Sequence, residues 1–135
     1  MKQKVLIIGL DCAEPSLVFH QWRANLPNIS GLMAQGLYGP LTSTIPPVTV
    51  PAWASMLTGK DPGQLGLYGF RNRRDRSYAP LALASSASLK EKTLDQILSR
   101  QRLTSILLGV PLTYPPRPLR GRMVSGPLTP NKKVA

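Results

Sequence analysis

Cysteine, histidine and acidic residues are scarce in this chain. Of 135 residues, one is cysteine (Cys12), one is histidine (His20) and six are acidic. A single cysteine excludes an internal disulfide and fits a reducing, cytoplasmic setting. No histidine stands near Cys12 in sequence to activate it, so it reads as a small buried residue. Aromatics make up only 6%, and no nucleic-acid-binding signature is present. No apolar run reaches the length of a membrane span. The opening "MKQKVLIIGLDC" has the look of a signal peptide, but its apolar run is short, ends in Asp11 and lacks a small-residue cleavage site. The "TGKD" segment is no phosphate-binding P-loop, because the upstream glycine is missing and Asp61 stands where Ser or Thr belongs.

Positive charge, proline and glycine are abundant. Seventeen Lys and Arg against six acids leave a net charge of +11. Such a charge points to an anionic partner or to a solvated basic face. The one dense basic run is "RNRRDR", Arg71 to Arg76. The remaining charges cluster weakly, which ranks nucleic acid low as a partner. Fourteen prolines and eleven glycines imply many turns and long loops. A hydrophobic content of 42% is enough for one domain with one core.

The pattern along the chain predicts an α/β fold with a mainly parallel sheet flanked by helices. "KVLIIGL", Lys4 to Leu10, reads as a central strand covered on both faces. A helix is expected from about Ser16 to Arg23. Asn28 is expected to cap a second helix that Gly36 ends. Pro51 to Thr58 reads as a helix with proline in its first turn and Gly59 past its end. Lys60 to Ala87 reads as irregular. "TLDQ", Thr93 to Gln96, is a capping box opening a helix to about Gln101. "TSILLGV", Thr104 to Val110, reads as a second buried strand, and a short strand is expected around Met123.

Two residues stand out as chemistry. Asp11 lies at the end of the expected first strand, where open α/β sheets bind ligands. Its carboxylate suits zinc, magnesium or manganese; it equally suits an Asx turn or a helix cap. Thr49 stands beside the N-terminus of the Pro51 helix, where free N–H groups and the helix dipole attract phosphate. A hydroxyl there is helped toward its alkoxide; plain N-capping is the alternative.

Together these segments form a pattern. A strand ending in aspartate ("VLIIGLD") is followed by "TVPAWASMLTGKDPGQLG", which has the form T-x-P, then T-G-x-x-P-x-x-x-G. This resembles the N-terminal part of the alkaline phosphatase superfamily, in the branch of type I phosphodiesterases and nucleotide pyrophosphatases. "KEKTLDQILSRQ" and "TSILLGVPLTYPPRP" are similar to the family's next helix and strand. The resemblance covers residues 1–126 as the N-terminal part of a catalytic domain, with 127–135 expected as a disordered tail. It implies a two-metal hydrolase of phosphodiester or pyrophosphate bonds, with zinc, or manganese, as the metals. Asp11 would be a metal ligand. Thr49 would be both a ligand and the nucleophile that forms a covalent phosphothreonine or nucleotidyl-threonine intermediate.

The chain also departs from the family. Such a site needs several further Asp and His ligands, which the family supplies from later segments. The six acids and His20 do not provide them, so we expect a chain cut short or frameshifted, inactive alone, its strong basicity a consequence. A complementing C-terminal chain is one expected partner, besides a phosphoester or nucleotide-like substrate. Leu65 occupies a position where the family often has His. Ala52 stands where pyrophosphatases often carry an asparagine that donates to the oxyanion, leaving the substrate class open. A small basic module that binds nucleic acid or other polyanions is the competing reading.

Overall fold

A computed structural model describes residues 4–73, 75, 77–78 and 80–129. The chain divides into two compact units, Met1–Thr42 and Ser43–Ala135.

The first unit differs most from expectation. Lys4 to Leu10 form no strand, and Val5, Leu6, Ile7, Ile8 and Leu10 are 60–83% exposed. A β-branched run favours extended backbone, but it becomes a strand only where a neighbour takes its N–H and C=O groups. Among the described residues no neighbour does. A turn at Asp11–Cys12 follows, with Cys12 in the left-handed region (φ 60°). Cys12 is exposed, not buried as expected. The helix expected from Ser16 is a π-helical turn, Leu17–Gln21, and a 3-10 turn, Arg23–Asn25. Glu14 anchors its start. The Glu14 carboxylate accepts from the Ser16 hydroxyl, the Ser16 N–H at 3.0 Å and the Leu17 N–H at 3.2 Å.

Helix α1 spans Pro27–Gln35. Leu26 sits at its N-cap with Pro27 in the first turn, so Asn28 is inside the helix rather than capping it. Proline suits this position because its missing N–H would have no helical partner. Gly36 does end the helix, but in extended rather than left-handed backbone (φ −131°). Phe19 and Tyr38 meet edge to face, with ring centroids 5.3 Å apart.

The second unit holds a core of Val50, Ala54, Leu65, Leu67, Ala84, Leu89 and Leu112. Val50 and Ala54 stand four apart on α2, Thr49–Thr58, and so share one face. The segment expected to be irregular contains a helix and a two-stranded hairpin. Helix α3 is Pro62–Leu65, and strands β1, Arg71–Asn72, and β2, Ala82–Leu83, pair antiparallel. Short polar contacts, invisible to periodicity, build this hairpin. The Asn72 amide accepts from the Tyr68 N–H at 2.8 Å and donates to the Gly69 carbonyl at 2.7 Å. A 3-10 turn at Ser86–Ser88 leads to α4, Leu94–Arg100. The expected capping box opens α4, with the Gln96 side chain accepting from the Thr93 N–H at 3.1 Å.

Strands β3, Ser105–Val110, and β4, Gly121–Ser125, pair in parallel, with Ser105 opposite Gly121 and Leu108 opposite Val124. The second and third expected strands are therefore present and parallel to each other, so the architecture is mixed α/β. β3 is not buried on both faces, however. Leu107 is buried, while Ile106, Leu108 and Val124 are 62–70% exposed. The β3–β4 loop is tied down as a rigid loop would be. The Ser86 hydroxyl donates to the Pro115 carbonyl at 2.5 Å, and the Arg117 guanidinium donates to the Ser86 and Leu89 carbonyls. Of the expected tail, Pro127 and Leu128 form a turn and Thr129 donates to the Gly126 carbonyl at 2.7 Å. Residues 130–135 of that expectation lie outside the described residues.

Candidate active site

The "TVPAWASMLTGKDPGQLG" segment folds as two helices joined by a tight corner; its Thr58 and Asp61 side chains are used in building it, while the buried Ser55 hydroxyl has no hydrogen-bond partner among the described residues. At the end of α2 the Thr58 hydroxyl donates to the Ala54 carbonyl at 2.7 Å and accepts from the Lys60 N–H at 3.2 Å. Gly59 closes the helix in the left-handed conformation (φ 69°), where glycine has no Cβ to clash. Asp61 caps α3 by accepting from the Gln64 N–H at 2.8 Å, Pro62 occupies its first turn, and Gly66 (φ 66°) ends it. Every fixed position of T-G-x-x-P-x-x-x-G thus has a local structural task.

Thr49 does not. α2 begins two residues before Pro51, so Thr49 is the first helical residue and Val48, in extended backbone, is its N-cap. Pro51 therefore sits third in the helix rather than first, where it still leaves no N–H without a partner. The expected alternative for Thr49, plain N-capping, does not occur: α2 has no side-chain cap. Among the described residues neither the hydroxyl nor the N–H of Thr49 has a hydrogen-bond partner. Thr49 is half-buried between the fully buried Val50 and the half-buried Val48. Upstream, the Thr44 hydroxyl donates to the Pro46 carbonyl at 3.0 Å. The site is therefore a free secondary hydroxyl on the first turn of a ten-residue helix, at the positive end of its dipole.

Asp11 lies in the other compact unit, exposed in its turn, and does not follow a paired strand. The thiol of its neighbour Cys12 donates to the Asp11 carboxylate at 3.8 Å, the one side-chain hydrogen bond of Asp11 among the described residues. No group of three or more His, Cys, Asp or Glu that could hold a metal ion occurs among the described residues. The residues present do not fit a two-metal centre, and His20 is exposed in the π-helical turn.

A family model describing type I phosphodiesterase / nucleotide pyrophosphatase matches residues 5–133. The chain belongs to the type I phosphodiesterase/nucleotide pyrophosphatase family. The match runs past Gly126, where the motif-based resemblance ended, and takes in the apolar run at Val5, Asp11, the Thr49 helix and the parallel strand pair. Searches of the curated proteins and of the solved structures return no match. No helix among the described residues is long and apolar enough to cross a membrane.

Sequence reasoning missed the hairpin and the tethered Arg117. Neither leaves a periodic trace, because both are held by single side chains bonding to distant or irregular backbone.

Proposed function

We propose that the domain acts on phosphodiester or pyrophosphate bonds through Thr49 as nucleophile. The supporting observation is the Thr49 hydroxyl without a partner among the described residues, on the first turn of α2, in a motif where the Thr58 and Asp61 side chains are used at helix ends. Its oxygen would attack phosphorus as it loses its proton, and the bond to the leaving alcohol or phosphate would break. Water would then hydrolyse the phosphorylated or nucleotidylated threonine and restore the hydroxyl. The first turn of α2 contributes a favourable field for the anionic phosphate. The fold is that of the alkaline phosphatase superfamily, and its complete site would use divalent metals, zinc first, with Asp11 and Thr49 as the ligands from this chain. Six acids and one histidine leave the 135 residues short of such a centre, and by themselves they do not turn over. The remaining ligands would come from a complementing C-terminal segment or chain.

The test is hydrolysis of a bis-aryl phosphate with zinc or manganese. The 135-residue chain is expected to be inactive. Joined to the C-terminal segments of a family member, it is expected to gain activity that Thr49→Ala lowers by about 10³-fold or more and Thr49→Ser largely keeps. The order of magnitude is that of removing the nucleophile of a covalent mechanism. A joined enzyme that tolerates Thr49→Ala would rule out the nucleophile. Turnover by the chain alone would rule out its dependence on further ligands.

A further inference from the structure

Basic residues are concentrated outside the "RNRRDR" run as well. In that run Arg73 is engaged, its guanidinium 4.5 Å from the centre of the Tyr78 ring. A second concentration forms where the chain folds back on itself. The Ser99 hydroxyl accepts from the Arg120 N–H at 2.9 Å, and the Ser99 carbonyl accepts from the Arg102 N–H at 3.0 Å. The Arg120 carbonyl in turn accepts from the Ser105 N–H at 3.0 Å, and the parallel register sets Arg122 opposite Ile106. Arg100, Arg102, Arg120 and Arg122 are thereby gathered at the start of the β3–β4 pair, and all four are exposed. They are separated in sequence, which is why composition alone did not reveal them.

Among the described residues none of the four forms an ion pair. From Gln96 onward the sequence contains no Asp or Glu. Asp95, the last acid, is buried in the first turn of α4, while Arg100 is in its last. Beside the cluster lies an open groove of about 350 Å³, lined by Gln96, Ser99, Arg100 and Pro118. Like charges gathered without counter-charges repel, and an anion that bridges them relieves the repulsion.

We propose that these four arginines, of which Arg100 lines the groove, bind a polyphosphodiester chain, namely single-stranded nucleic acid. Guanidinium groups pair with phosphate through two parallel hydrogen bonds. One phosphate engages one or two of them; four on adjoining segments suit a repeating series of phosphates. The groove at Arg100 gives a strand a concave seat that a flat anionic membrane would not enter. Tyr114 is the single aromatic after Gln96, so affinity rests on charge rather than base stacking. Binding is therefore tolerant of base sequence and strongly dependent on salt. The proposal does not depend on the catalytic reading.

The experiment is fluorescence anisotropy of a labelled twenty-base oligothymidylate with the 135-residue chain. Neutralising one phosphate of a single strand contributes a slope of about −0.7 in log affinity against log salt. Four arginines predict a slope near −3 and a roughly 50-fold loss of affinity from 50 to 200 mM salt. Replacing all four by Gln should abolish most of the slope, while Arg71→Gln with Arg73→Gln should leave it intact. If the fourfold variant loses its circular dichroism signature, the exposed pair Arg100→Gln and Arg102→Gln decides instead: it should halve the slope, and an unchanged slope overturns the proposal. Absence of binding at 50 mM salt overturns it, as does salt-independent binding or loss of binding only in the Arg71/Arg73 variant. Binding to phosphatidylserine vesicles without binding to the oligonucleotide overturns it in favour of a membrane surface.

Discussion

Side chains of one chemical type are sorted here by whether the local backbone uses them. Thr58 and Thr49 both belong to α2, yet one hydroxyl seals the helix end and the other has no partner among the described residues. That contrast is the residue-level basis for treating Thr49 as reactive and Thr58 as structural. Glu14 is a further residue whose role follows from its partners. The Ser16 hydroxyl first, then the Ser16 N–H, hold the Glu14 carboxyl below its ordinary value of 4.5. Its folded-state value is depressed, so its stabilising contribution is present above the unfolded-state value and is lost as pH falls through the lower folded-state value. The expected outcome is an NMR titration of the Glu14 carboxyl with a midpoint below 4.5, followed by the Ser16 and Leu17 amide shifts. A midpoint at or above the ordinary value, or amide shifts that do not follow it, would remove the Glu14 anchor. Thr49 and Asp11 were legible as candidates because motif spacing records residue type. The freedom of the Thr49 hydroxyl was not, since capping depends on where the helix starts, and proline at position 51 pointed to a start two residues too late.

Elements were legible where the local signal and the tertiary partner agree. The Thr93–Gln96 capping box and the Gly59 terminus were read correctly because both are completed within one turn. "KVLIIGL" and "TSILLGV" carry the same kind of apolar signal, yet only the second is a strand. The difference is β4, which hydrogen-bonds Ser105 to Val110; a strand is a property of a pair, and sequence shows one half of it. The pairing places its own demand on glycine. Gly121 has φ 147°, and a Cβ there would lie 1.7 Å from the Ser105 carbonyl oxygen. No backbone atom can yield that far without separating the strands. Gly121→Ala is expected to destabilise the second unit by about 2–4 kcal/mol, combining overpacking with an unfavourable φ. Urea denaturation followed by circular dichroism should show the midpoint fall accordingly. A shift under about 0.5 kcal/mol would mean that the β3–β4 register is not held at Gly121.

For the whole molecule the governing quantity is exposed area. Large apolar residues stand exposed in both units. They include strand-forming residues: Val5 to Ile8 in the first unit, and Ile106, Leu108 and Val124 on the open face of the parallel pair. Contiguous apolar surface of this kind normally meets a partner surface, and an unpaired strand segment accepts another strand. Folding of the chain alone should therefore be weakly cooperative. The expected outcome is strong enhancement of anilinonaphthalene sulfonate fluorescence at neutral pH and a urea transition with a slope well below that of a compact domain of this length, since the slope scales with the area newly exposed. A complementing C-terminal segment, added in trans or joined, should quench the dye signal and steepen the transition together. A steep transition with no dye binding by the chain alone would show that these apolar residues find partners within the 135 residues, and would remove the physical case for a complementing segment.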